Sequence, residues 1–208
     1  MLDEQLANEI AKGIIKTGVE GGFRSISCST AGDYPSIGVS QWEGLNGGRG
    51  DTLLTYLDGG QRFIGRAYSD IENSGELKEL AMLLESAQGQ KAQEIILTQD
   101  CLELYVPELK RVPNLDDSRC FIYAGIWCPT SHDVVRRFLT NRAYDYNIRS
   151  LETIRNMFRD QYYIAASVGE ENALGYANRA ENTYQYVAGI DLTTQYAVSA
   201  YGEGPFGR

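Results

Sequence analysis

Residues 18–44 read GVEGGFRSISCSTAGDYPSIGVSQWEG, and this stretch decides the fold. Just upstream, Leu2, Leu6, Ile10 and Ile14 recur every four positions, with Ala7 and Ala11 beside them. That spacing predicts an amphipathic helix over 2–17. Gly18 supplies a natural end, and the following Glu20-Gly21-Gly22 argues against continuation. Residues 24–41 then alternate loosely (Ile26, Cys28, Ile37, Val39) around Ser-Thr-Ala-Gly-Asp-Tyr-Pro, which predicts a β-hairpin with a long turn. The expected picture is a helix end, a small hairpin returning through 36–41, and a cleft between them with Glu20 at its back wall.

The rest of the chain reads as helical packing around this hairpin. Asn46-Gly47-Gly48-Arg49-Gly50 is a loop, with Asp51 expected to cap a short helix through about Leu57. Helices are predicted at 75–88 and 90–106, with Pro107 and Pro113 bracketing a break. Further helices are expected near 116–126 and 131–142, from Ser150 through about Val168, and at 170–188. A loose tail is expected after Gly202. The fold class is therefore mainly α (α+β), one domain over 1–208, with catalytic helix and hairpin in 1–60 and a helical lobe in 61–208.

Composition narrows the partners. A net charge of -9 and a pI near 4.7 argue against nucleic acid, which demands a basic surface. An anionic cell wall would also repel the chain at long range, so wall binding would rest on cleft contacts or a partner. The start carries acids where a secretory leader carries basic residues, and no apolar run is long enough for a membrane span. Synthesis in the cytoplasm without a signal peptide and no membrane insertion are the expectations. Cys28, Cys101, Cys120 and Cys128 form no CxxC and read as free thiols in a reducing compartment, although a Cys120–Cys128 bridge fits the spacing.

An acid at a helix C-terminus opposes the helix dipole, and Glu20 stands near apolar Ile14, Ile15, Val19 and Phe23. Partial burial there would keep the carboxyl protonated, which is what donation to a glycosidic oxygen needs. The bland reading is an exposed glutamate beside a turn.

Glu20 followed by glycines, a polar loop and Gly38-Val39-Ser40-Gln41 resembles the signature of the lysozyme-like superfamily. In goose-type lysozymes, lytic transglycosylases and phage endolysins, a helix ends in the catalytic Glu. A hairpin then leads to a Gly-(Leu/Ile/Val)-(Met/Ser)-Gln element. The likeness covers residues 18–44 closely; Gly175-Tyr176-Ala177-Asn178-Arg179, with Tyr184, is a weaker echo in the late helix.

The resemblance implies a peptidoglycan-degrading muramidase of lysozyme-like fold, of endolysin type, acting on the bacterial glycan strand. Glu20 would be the general acid and Asp33, thirteen residues on, the group that steadies the transition state or positions water. Asp33 reads equally well as a turn residue. Glu43 is the other candidate acid. With neither facing Glu20, a lytic transglycosylase forming 1,6-anhydro ends is the alternative; a non-catalytic virion component of the same fold is another. Ser36, Ser40 and Gln41 would orient substrate or water. Tyr34, Trp42, Tyr123, Trp127, Tyr176 and Tyr184 are the expected cleft aromatics. No cofactor or metal is expected, with His132 the sole histidine. A wall-targeting module or subunit would be separate, and the enzyme would act on the wall after release or from a virion. Cys28 with His132 gives a remote cysteine-peptidase reading, weakened because Cys28 falls mid-hairpin.

Overall fold

The computed structural model describes residues 1–18, 20–29, 31–44 and 47–192. The chain is mainly helical with a small three-stranded antiparallel sheet. Helix α1 (Asp3–Thr17) starts one residue later than predicted, with Leu2 as an exposed N-cap and Asp3 and Glu4 opposing the positive end of the dipole. Leu6, Ile10 and Ile14 are buried, each worth about 1.5–3 kcal/mol against exposure. Gly18 ends the helix in the left-handed conformation (φ 61°), its N–H donating to Ile14 O at 3.0 Å.

Strands β1 (Ile26–Cys28), β2 (Pro35–Ile37) and β3 (Trp42–Glu43) follow in order. The register sets Ile26 opposite Ile37 and Ile37 opposite Trp42, an apolar row turned to the core. Ser27, Ser36 and Glu43 form the polar row on the other face. The predicted return strand over 36–41 is thus cut short. At Gly38 (φ 74°) the chain turns tightly, and Gln41 also adopts a positive φ of 49°. A third strand then forms from Trp42 and Glu43.

Helix α2 (Arg49–Thr55) begins before Asp51, so Asp51 is not its cap; its buried carboxylate accepts N–H groups from Gly47 (3.2 Å) and Gly65 (3.3 Å). Helix α3 (Tyr68–Asn73) was not foreseen. Helices α4 (Leu77–Glu85) and α5 (Ala87–Asp100) match two predicted helices, with Ser86 capping α5. After α5, residues Cys101–Tyr105 form a π turn that runs on into α6 (Val106–Leu109) with helical backbone throughout, so Pro107 sits inside one continuous helical run just past the π turn rather than at a break. Helices α7 (Ser118–Ile126), α8 (Cys128–Thr140), α9 (Leu151–Ala165) and α10 (Ala173–Ala188) complete the fold. Ser150 caps α9 as the sequence predicts, accepting from Thr153 N. The tail after Gly202 lies outside the described residues.

Helix α1 packs against α5, the π turn, α7 and α10, so the helix that carries Glu20 at its end is central to the helical body. Its crossing with α7 depends on two glycines. A Cβ at Gly13 would meet Ile126, and one at Gly125 would fall 2.4–3.0 Å from three Ile10 side-chain atoms. Ile10 is itself fully buried and has nowhere to turn. Gly125→Ala is therefore expected to destabilise by about 1–3 kcal/mol despite the better helix former. Urea unfolding checks it, and an unchanged midpoint would refute this tight crossing.

All four cysteines are free, so the Cys120–Cys128 bridge is not formed. Burial pushes the Cys101 and Cys128 thiols well up and leaves them inert. No described helix is long and apolar enough to cross a membrane.

Candidate functional site

Two cavities meet at one residue. The first, about 660 Å³, lies between the 40–43 turn, the π turn and the start of α8; Gln41, Trp42, Glu43, Tyr105, Thr130 and His132 are among its walls. The second, about 400 Å³, lies between the end of α1 and α10; Glu20, Thr130, Tyr176, Asn178, Arg179 and Asn182 line it. Thr130 belongs to both. The backbone at Ser131 is extended inside α8 (φ −174°, ψ 106°), and this kink lies beside Thr130. The two cavities thus flank Thr130, and Glu20, which lines the second, is bonded to that residue.

The Glu20 carboxylate is held through one oxygen. Thr130 Oγ1 donates to Glu20 Oε1 at 2.5 Å, and Arg179 Nη1 donates to the same oxygen at 2.9 Å. Arg179 Nη1 also reaches Thr130 Oγ1 at 2.9 Å, closing a triangle. The apolar surround expected of Glu20 is thus replaced by a cation and a hydroxyl. Arg179 lies with its guanidinium carbon 4.2 Å from the ring centroid of Trp127, a cation–π contact. Its Nε and Nη2 are buried with no hydrogen-bond partner among the described residues, as are Trp127 Nε1 and Tyr162 Oη. Polar atoms left without a partner in this way cost about 1–3 kcal/mol each. Burial raises the Tyr176 phenol, with the negative charge of Glu20 adding to the effect and Arg179 opposing it.

The hairpin wall is fastened from behind. Asp100, at the end of α5, is buried and accepts from Trp42 Nε1 (2.7 Å) and from Arg49 Nε (2.8 Å) and Nη2 (2.5 Å). Gln93, fully buried on α5, accepts from Val39 N (3.0 Å) and donates to the carbonyls of Phe23 (3.1 Å) and Leu84 (2.9 Å). Gln41 accepts from Ser27 Oγ (2.6 Å) and donates to Gly38 O (3.1 Å). A non-glycine residue at positive φ is uncommon and marks a site held against local preference. The π turn, another feature frequent at functional sites, carries Glu103, Leu104 and Tyr105 to the cavity wall. Tyr105 is pushed well up by burial, against a hydrogen bond from Ser40 that lowers it.

The predicted site residues divide. Glu20, Ser40, Gln41, Trp42, Glu43 and Tyr176 line the two cavities. Ser36 is buried in β2 between Ser27 and Glu43. Tyr34 is half-buried and lines neither cavity. Asp33 is exposed at the hairpin turn, where Ser69 N (2.9 Å) and Ser69 Oγ both donate to its carboxylate. Those bonds, the hydroxyl's first, hold it below the usual carboxylate range, and it serves as a cap on α3 outside both cavities. Glu43, by contrast, borders the first cavity, with Ser29 Oγ on its Oε1 at 2.7 Å.

Besides Tyr34, three more of the expected cleft aromatics lie elsewhere. Tyr123 and Trp127 are fully buried in the cluster with Phe158 and Tyr162, and Tyr123 Oη donates to Ala180 O at 3.0 Å. Tyr184 packs under the Arg155 guanidinium. Cys28 contacts Gly32 O at 3.8 Å, whereas His132 rests against Tyr105, and no hydrogen bond joins Cys28 to His132 among the described residues. The sequence reading missed Thr130, Asp100, Arg49 and Tyr105. It noted Arg179 only as part of an echo; an arginine in a helix facing a lone glutamate leaves no local pattern to find. No protein family, curated protein or solved structure matches this chain.

Proposed function

We propose that this protein is a glycosidase that cleaves the β-1,4 bond between N-acetylmuramic acid and N-acetylglucosamine in bacterial peptidoglycan, with Glu20 as proton donor. The observation that carries the reading is the place of the Glu20 carboxylate, in the wall of one cavity and bonded to Thr130, the residue that cavity shares with the other. A polymer lying across that shared residue extends to both sides of the scissile bond. Gln41 and His132 offer polar contacts on one side, and Asn178 and Asn182 offer amides on the other.

Glu43 is the better second carboxylate, because Asp33 is spent on α3. As the bond between C1 and the bridging oxygen breaks, the electron pair goes to that oxygen and Glu20 delivers its proton there. A water held by Glu43 attacks C1 and gives its proton to the Glu43 carboxylate. An inverting reaction of this kind sets its two carboxyls about 6.5–9.5 Å apart. Where the sugar's own 6-hydroxyl attacks C1 instead, its proton goes to the Glu20 carboxylate left after the leaving oxygen is protonated, and a 1,6-anhydro end forms without Glu43.

Mass spectrometry of digested bacterial walls separates these chemistries. Reducing muramic ends are expected, with Glu43→Gln lowering their yield by about a hundredfold and Asp33→Asn by less than threefold. Anhydro ends with an active Glu43→Gln would move the assignment to transglycosylation. New amino termini, or no cleavage by the unaltered protein, would remove it.

A further inference from the structure

The triangle at Glu20 has a direction that donor and acceptor counting fixes. Arginine only donates, so the 2.9 Å contact between Arg179 Nη1 and Thr130 Oγ1 makes the threonine oxygen an acceptor there. Thr130 has one hydroxyl proton, and it must then go to Glu20 Oε1 at 2.5 Å. Arg179 Nη1 donates to that same Oε1. One carboxylate oxygen therefore receives two hydrogen bonds, one of them from a guanidinium that cannot accept in return. A proton on Oε1 would face the Arg179 N–H and would force the Thr130 hydroxyl to turn away. Oε2 takes no hydrogen bond among the described residues, and Glu20 lines the second cavity.

From this we infer that Arg179 is a positioning residue: with Thr130 it holds Glu20 Oε1 as an acceptor, so that the exchangeable proton of Glu20 is directed to Oε2. The carboxyl need not leave its arginine to act as an acid. Its C=O end stays anchored on Arg179 and Thr130 while its O–H end meets the bridging oxygen. This rests on the proposed role of Glu20 and adds to it a reason for the late helix, since α10 supplies the anchor. Among the described residues the arginine makes no further hydrogen bond, and packing fixes it. It stacks on Trp127, whose other neighbours are Phe158, Tyr162 and Tyr176. A guanidinium fits that aromatic seat and reaches two oxygens at once, whereas an ammonium on a flexible stem does neither well.

The test is wall digestion kinetics on Arg179→Ala, Arg179→Gln, Thr130→Val and Thr130→Ser, each with a thermal melt. Arg179→Ala is expected to lower kcat by about a hundredfold, the usual result of a misplaced reacting group, with KM changed by less than about threefold. Added guanidinium should refill the seat on Trp127 and recover about tenfold of the loss. Arg179→Gln should stay slow, because an amide can also accept and so no longer dictates where the proton sits. Thr130→Ser should work and Thr130→Val should be slowed. An Arg179→Ala protein within about threefold of the unaltered rate overturns the inference. So does a slow one that guanidinium does not help and whose melting temperature has collapsed, since that is a purely structural role. The acid itself is checked with Glu20→Gln in the same assay. An inactive Glu20→Gln beside an active Arg179→Ala sinks the anchor and leaves the acid standing. An active Glu20→Gln sinks both.

Discussion

Glu20→Gln is expected to abolish wall cleavage, lowering kcat/KM by about a thousandfold, while leaving the fold and the melting temperature nearly unchanged. The substitution is a narrow one. The amide oxygen of glutamine still accepts from Thr130 and Arg179, which hold Oε1 at 2.5 and 2.9 Å in the native protein. What disappears is a dissociable proton on the atom facing the cavity, and general acid catalysis contributes about 10²–10⁴-fold to reactions of this class. Stability should change little, because the glutamine keeps both hydrogen bonds and only the charge of a pair that retains some solvent contact (21% for Glu20, 13% for Arg179) is lost. Turbidity loss of bacterial walls measures the first half and a circular dichroism melt the second. Activity within about tenfold of the unaltered protein would end the assignment of Glu20 as the acid. Inactivity with a collapsed melt would mean that the substitution had reported on folding instead.

How far the sequence could be read follows from which interactions are local. Helix α1, its end at Gly18, the Ser150 cap of α9 and the hairpin after Glu20 come from contacts within a few residues, and periodicity and cap chemistry expose such contacts directly. The hairpin's third strand was hidden, because Gly38-Val39-Ser40-Gln41 looks like a continuing strand until Gln93, fifty-four residues downstream of Val39, takes the Val39 N–H. Pro107 reads as a break because sequence alone shows no π turn ahead of it. The candidate site divides the same way. Glu20, Gln41 and Trp42 stand out in one stretch. Thr130 and Arg179 reach Glu20 across 110 and 159 residues of sequence, and neither has a neighbour whose type betrays the pairing. Asp33 and Glu43 were both visible as acids near the hairpin. Which one borders a cavity depends on Ser69, a residue of the unforeseen α3, which engages the first of them.

The largest expected loss of stability falls on a residue that touches no proposed substrate. Gln93→Leu should lower the unfolding free energy by about 3–5 kcal/mol, on the order of 10 °C in Tm. Gln93 is fully buried and spends its whole amide on three backbone groups from three separate segments: Val39 N–H, Phe23 C=O and Leu84 C=O. Leucine fills nearly the same volume, so packing is kept and the loss isolates the hydrogen bonds. Each abandoned buried group carries a penalty of about 1–3 kcal/mol, and the three are not fully additive because the backbone relaxes once the first is lost. Leu84 C=O suffers most, since it belongs to the last turn of α4, where the helix itself supplies no partner. The same change loosens the 38–41 turn, so wall cleavage should fall with stability, whereas Glu20→Gln removes cleavage alone. Glu94→Ala, one residue along α5 and exposed, should stay within about 0.5 kcal/mol of the unaltered protein and serves as the control. Urea unfolding monitored by tryptophan fluorescence measures both. A loss below about 1 kcal/mol for Gln93→Leu would show that the hairpin does not depend on this amide, and the account of how the cavity is held open would fail with it.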